Sequence, residues 1–229
     1  MSVSFVLRGL DGKSMTTGAS LGLPANGHVA RFVEQLFSAV DTTSFLGTLV
    51  ITAYSEGGRV SATALQVGAA PGRFTTLPVV PIDPPPTAKD LIFAQFANGI
   101  GWITSLFLTN PLKEPLAGEL SFFDRSGARL AIPMNGQPAA DRLSFSIQPF
   151  GGAFLSTDGS GDLVTGSARI TSASPVGGVL RFASPTLGIA GVGSSSPLSG
   201  FITPAARSQS KGLSTGVAIA SPSDAASLA

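Results

Sequence analysis

The sequence predicts an all-β protein of two sandwich modules with one short amphipathic helix. Three observations carry that expectation. Short apolar runs alternate with turn residues along most of the chain, one stretch alone follows a helical period, and several segments occur twice. Composition agrees. The 229 residues include 28 Gly and 17 Pro, and 12% of them are charged, about half the ~25% of an average soluble domain. Apolar residues make up 43%, close to the usual ~45–50%. Gly, Pro, Ser and Thr therefore stand where charge would normally be.

The candidate strands, in order, are Val3–Arg8, Gly47–Ala53, Val60–Val67, Trp102–Thr109, Gly118–Phe123, Leu143–Ile147, Val164–Thr171, Val179–Phe182 and Gly216–Ala220. Each is a short run rich in apolar and β-branched residues, bounded by turn formers. Between them lie Asp11-Gly12, Glu56-Gly57-Gly58, Asn110-Pro111, Ser126-Gly127, Asn135-Gly136, Gly151-Gly152 and Gly177-Gly178. Gly supplies positive φ and Pro presets φ in such turns. Many short strands at this spacing point to sandwiches, immunoglobulin-like or jelly-roll-like. From His28 to Val40 the apolar residues are Val29, Phe32, Val33, Leu36, Phe37 and Val40. That stripe predicts an amphipathic helix of about three turns, with Asn26 as its cap. Phe5, Phe32, Phe37, Phe45, Phe107, Phe122 and Phe154 are expected in the core.

The stretch Val79–Asp90 contains three consecutive prolines. Prolines donate no ladder hydrogen bond and favour a stiff extended spacer. The expected organisation is a first module over 1–83, a linker over 84–88, a second module over 89–204 and a C-terminal segment over 205–229.

An internal repeat links these parts. Ile147-Gln-Pro-Phe-Gly-Gly matches Leu23-Pro-Ala-Asn-Gly-His, and Ser121 to Gly127 matches Val6 to Gly12. Gly166, Ile170, Thr171 and Ser174 align with Gly47, Ile51, Thr52 and Ser55. The second copy opens with Trp102 to Pro111, whose counterpart is Leu213 to Pro222, at the other end of the chain. One copy is thus split. Residues 205–229 and 1–83 together make a module of about 110 residues, as do residues 89–204, close to the usual sandwich size. The strand Gly216–Ala220, centred on Val217 and Ile219 and led by Leu213, is expected to pair near Phe5 and Leu7. It comes either from the same chain or from a neighbour. An unpaired sheet edge templates association, and a head-to-tail contact that does not close builds a filament.

Several segments carry a resemblance: Gly101-Trp102, Leu108-Thr109-Asn110-Pro111, Phe122-Phe123-Asp124, Leu23 to His28, Ala30-Arg31-Phe32 and Thr165 to Ile170. Over nearly its whole length the chain is similar to a tandem β-sandwich repeat module of large secreted bacterial surface proteins. The resemblance implies an extracellular or cell-surface β-sandwich repeat without catalysis, and it brings no functional residues. Met1–Leu10 does not read as a secretory leader, so that location rests on the resemblance.

The remaining chemistry is sparse. The formal net charge of +1 gives no footprint for nucleic acid. With no Cys and one His, neither a disulfide framework nor a multi-His metal site can form. No apolar run approaches the ~20 residues of a membrane span. His28 follows a turn and reads as local structure. Asp158 to Asp162 offers oxygen ligands at alternate positions but lacks the Glu that closes a calcium loop, and reads as a Gly-rich turn. Gly188 to Gly193 has the wrong glycine order for a dinucleotide. Trp102 and Tyr54 are too few for a sugar platform, and Trp102, aligned with Leu213, reads as a core or interface residue. No catalytic, cofactor-binding or metal site is expected. The expected function is a structural subunit that polymerises through its own C-terminal strand. The alternative is a monomeric adhesion module that meets a glycan or surface partner through its loops.

Overall fold

The computed structural model describes residues 1–54, 57–68, 74–184, 186, 188–195, 199–210 and 213–221. The strands are β1 (Ser2–Gly9), β2 (Ala19–Gly22), β3 (Gly47–Ala53), β4 (Ala64–Val67), β5 (Phe74–Leu77), β6 (Asp90–Asn98), β7 (Ile103–Thr109), β8 (Leu116–Phe123), β9 (Arg129–Leu130), β10 (Arg142–Ile147), β11 (Gly152–Ser156), β12 (Val164–Ser172), β13 (Gly177–Ser184), β14 (Gly188–Gly193), β15 (Arg207–Ser208) and β16 (Leu213–Ser214). One helix, α1, spans Val33–Leu36. The all-β class with one short helix holds.

Residues 90–193 form a two-sheet sandwich. One sheet runs β10-β8-β12-β6, with β9 beside β8; the other runs β11-β7-β13-β14. Alternate residues of both sheets meet in one core. Phe93, Phe96, Leu120, Phe122, Phe145 and Ile170 come from the first sheet, and Leu106, Leu108 and Leu180 from the second. Phe96 and Phe122 pack edge to face at 4.9 Å.

Residues 1–53 form one antiparallel sheet in the order β2-β1-β3. Val3, Phe5 and Leu7 face a small core with Phe37, and Leu21, Leu36, Phe45, Leu49 and Ile51 pack around them. This sheet reproduces β10-β8-β12 strand for strand and register for register. Phe5 lies opposite Ile51 and Ala19, as Leu120 lies opposite Ile170 and Leu143. The turn after β2 has Asn26 at φ 58°, and the turn after β10 has Phe150 at φ 56°. In each, the following glycine donates back three residues, Gly27 to Pro24 and Gly151 to Gln148, both at 2.9 Å. The sequence repeat is therefore a repeat of geometry.

Gly47 and Gly166 show why the repeat keeps glycine. A Cβ on Gly47 would run into the carbonyl oxygen of Arg8, and one on Gly166 into that of Phe123. No side-chain rotation relieves a clash with the neighbouring backbone. Gly166→Ala should therefore cost about 1–3 kcal/mol, the range for forced backbone shifts, read as a lowered midpoint in urea denaturation.

Four expectations are corrected. The helix is one turn, not three. Residues 28–32 are neither helix nor strand, and the cap is at Phe32, which has extended backbone and whose N–H donates to Gln35 Oε1 at 2.9 Å, not at Asn26. In the repeat, residues 28–32 are the counterpart of β11. Val60–Val67 is a strand only from Ala64 onward. Gly216–Ala220 is not a strand. Its alternation suits one, but a strand needs a ladder partner, and among the described residues it has none. Among the expected core phenylalanines, Phe32 is exposed at 56%, while Phe107 and Phe154 meet at 6.3 Å, half-buried on the outer face of their sheet.

The sheet of residues 1–53 joins the sandwich at the Phe150 turn. Thr48 Oγ1 donates to the Phe150 carbonyl at 2.7 Å, Gly152 N–H donates to Leu10 O at 3.0 Å, and the Arg8 guanidinium sits 5.3 Å from the Phe150 ring centre. The β4–β5 hairpin lies along β14 instead, where Gly191 N–H donates to Thr75 Oγ1 at 2.5 Å and Arg181 to Gln66 Oε1 at 3.1 Å. The stretch 84–88 ends against the sandwich, where the Ala88 carbonyl accepts from Val176 N–H at 3.4 Å.

Candidate assembly site

The candidate site has two halves at separate places in the chain. The first is the sheet β2-β1-β3. Phe5 and Leu7 lie on β1, which is central: Phe5 pairs with Ala19 on one side and Ile51 on the other. Leu7 pairs with Leu49, and its carbonyl accepts from Met15 N–H at 2.9 Å. A C-terminal strand thus cannot pair with β1 beside Phe5 and Leu7, because both flanks of β1 are taken. The open edge that matters lies one strand over, on β3. Among the described residues β3 pairs with β1 alone, whereas its counterpart β12 lies between β8 and β6. Leu49 and Ile51 face the small core but are only half-buried. Their counterparts Ala168 and Ile170 are wholly buried. The difference is the neighbour strand and the second sheet, which the described residues do not supply to this module.

The second half is the C-terminal segment. Val217 is 58% and Ile219 76% exposed, and Ile202 is 99% exposed. Leu213 stands on β16 opposite Ser208; its side chain lies outside the described residues, as do Ser55 and Pro222 of the repeat. A cluster of bare apolar side chains on one segment marks an interaction surface more often than chance exposure.

A hydroxyl latch ties this segment to the second module's pattern. Between β6 and β7, Thr104 Oγ1 donates to Ala97 O at 2.7 Å and accepts from Ala97 N–H at 3.0 Å. At the β15–β16 turn, Thr215 Oγ1 donates to Ala206 O at 3.1 Å and accepts from Ala206 N–H at 2.9 Å. The same two bonds close both hairpins, so β15–β16 is the counterpart of the β6–β7 connection. Ala206 and Thr215 escaped the sequence reading. Counting back from the Leu213–Trp102 alignment leads to residues 201–209 as the β6 counterpart, and the latch, whose two residues lie nine apart instead of seven, shifts it to 199–207.

The other candidate residues stay apart. His28 is exposed, Tyr54 is exposed and Trp102 is half-buried beside Gly99. Trp102 belongs to neither core cluster. Asp158 accepts from the N–H and hydroxyl of Ser160, at 2.9 and 2.8 Å, which makes its loop a side-chain-closed turn. Among the described residues no group of three His, Cys, Asp or Glu side chains converges.

Those turns carry a pH dependence. The Ser160 N–H, and then its hydroxyl, hold the Asp158 carboxyl below its ordinary value. The Ser126 hydroxyl does the same first for Asp124, with the Ala128 and Ser126 amides adding to it. A depressed folded-state pKa stabilises above the unfolded value of about 3.9 and loses that contribution as pH falls through the folded value. The thermal midpoint should therefore drop as pH falls below about 4, and less steeply in the double variant Asp124→Asn, Asp158→Asn. An equal slope in that variant would assign the acid sensitivity elsewhere.

Comparison with family models, with curated proteins and with solved structures finds no match.

Proposed function

We propose that this chain is a structural subunit that polymerises head-to-tail by β-strand complementation, its C-terminal segment adding to the first module of a neighbour. One observation carries the reading: β2-β1-β3 repeats three strands of the sandwich in register yet, among the described residues, ends at an open β3 edge, while an apolar segment patterned on the next strands stands exposed at the chain's other end. Open edges and exposed strands of matching pattern are the two parts of strand addition. Such a contact is heterologous and extends into a filament unless its rotation closes a ring. We place the assembly outside the cell or on its surface, on the sequence resemblance alone. The reading assigns no catalytic step and needs no cofactor.

Size-exclusion chromatography with light scattering, followed by negative-stain microscopy, tests it. Masses in multiples of 23.1 kDa that grow with concentration, with regular fibres, are expected. A compact 23.1 kDa species at all concentrations would overturn it and favour a monomeric binding module.

A further inference from the structure

If head-to-tail complementation holds, the second module dictates where the incoming segment sits. β2 matches β10, which ends its sheet in the second module, so an open β2 edge is the normal state of this fold. β3 matches β12, whose far side is covered by β6. The β3 edge is therefore the one left incomplete.

The latch sets the alignment. With Ala206 on Ala97 and Thr215 on Thr104, Ile202 falls on Phe93, Val217 on Leu106 and Ile219 on Leu108. Phe93, Leu106 and Leu108 are at most 1% exposed, whereas Ile202, Val217 and Ile219 all stand in solvent. An apolar pattern that alternates correctly for a core it does not touch is a pattern kept for another partner.

The second sheet agrees. β7 lies between β11 and β13. Their counterparts in the first module are residues 28–32 and 58–65, of which 28–32 and 58–63 form no strand, and 64–65 belong to β4, which pairs with β5. Two outer strands lose their ladders when the strand between them is absent, because each would leave a row of unpaired amides.

We propose that residues 199–207 of one copy add to β3 of a second copy as its fourth strand. Residues 214–220 of the same copy insert between 28–32 and 58–63 of that second copy and nucleate its missing sheet. The register follows from the second module, where Arg169 lies opposite Ile92 and Ala168 opposite Phe93. Val50 then faces Phe201, and Leu49 faces Ile202. The donor is a second copy because, among the described residues, the segment makes no pairing with β3 of its own chain. Ser195 is held on β6 by both Ile92 bonds, at 2.9 and 3.4 Å, and beyond it β15 and β16 pair with each other and not with β3.

The chain has no Cys, so single cysteines report contacts cleanly. Full-length Val50→Cys is mixed with full-length Phe201→Cys under mild oxidation, beside a mixture of Ser20→Cys with Phe201→Cys that samples the β2 edge. A disulfide-linked heterodimer through 50 and 201 is expected, on the order of a hundredfold above the Ser20 mixture, as for groups held at high effective concentration. Linkage through Ser20 instead, or filaments with neither linkage, would overturn the β3 placement and leave head-to-tail assembly standing. A doubly substituted chain that cross-links only within monomers would overturn the second copy as donor. The absence of any assembly by light scattering would overturn both.

Discussion

Ile202→Asp should abolish assembly and leave the isolated chain as stable as before. Ile202 is 99% exposed in the single chain, and substitutions at such sites usually change stability by less than about 0.5 kcal/mol. In the complemented module the same position matches Phe93, a fully buried core residue. A carboxylate there would be buried and unpaired, which costs about 3–5 kcal/mol. That weakens each contact by roughly 10²- to 10⁴-fold. Sedimentation velocity should show a 23.1 kDa species at concentrations where the parent chain polymerises, with an unchanged urea midpoint. Assembly that survives the substitution would remove Ile202 from the interface.

Phe122→Ala should unfold the second module at far milder conditions than Leu7→Ala does. The two residues are counterparts, one opposite Ala168 and the other opposite Leu49, and both are 0% exposed. Phe122 sits between two packed sheets and against Phe96. Its loss empties a closed core, at about 3–5 kcal/mol. Leu7 sits under a partial cover of loop and one helical turn, where the surroundings can collapse into the gap, so its cost belongs at the low end of the ~2–5 kcal/mol range. In the assembled protein Leu7 gains the incoming Ile202 as a neighbour. Leu7→Ala should then cost more in filaments than in monomers, measured by denaturant midpoints at high and low protein concentration. Equal costs in both states would speak against completion of this core.

Much of the fold was legible because strands and turns are local. The runs around Gly118–Phe123 and Val164–Thr171 alternate cleanly, and the turns at Asn26 and Phe150 announce themselves by the residues before them. The repeat went further and foretold that β1 to β3 copy β8 to β12. Other features were not legible, for physical reasons. The His28–Val40 stripe satisfies a helical period, yet only Val33–Leu36 is helical and residues 28–32 are neither helix nor strand; spacing cannot tell which part lacks its sheet partner. Val217 and Ile219 look like a strand because their spacing alternates, but among the described residues they have no ladder partner. Phe5 and Leu7 looked available because neighbours supplied from Ala19 and Ile51 are invisible until strand order is known. The open edge on β3 and the Thr215 latch are relations between distant segments, and only the folded chain shows them.

Hydrogen exchange of β3 as a function of protein concentration tests the central claim most directly. In an edge strand alternate amides point away from the sheet and exchange readily, and pairing with a further strand protects them. The account predicts that the outward amides of Gly47–Ala53 exchange fast in dilute protein and slowly in concentrated protein, with residues 199–207 gaining protection in step. The inward amides, bonded to β1, should change little. Protection of β3 that is the same at every concentration would mean that the chain closes on itself, and would contradict assembly through this edge.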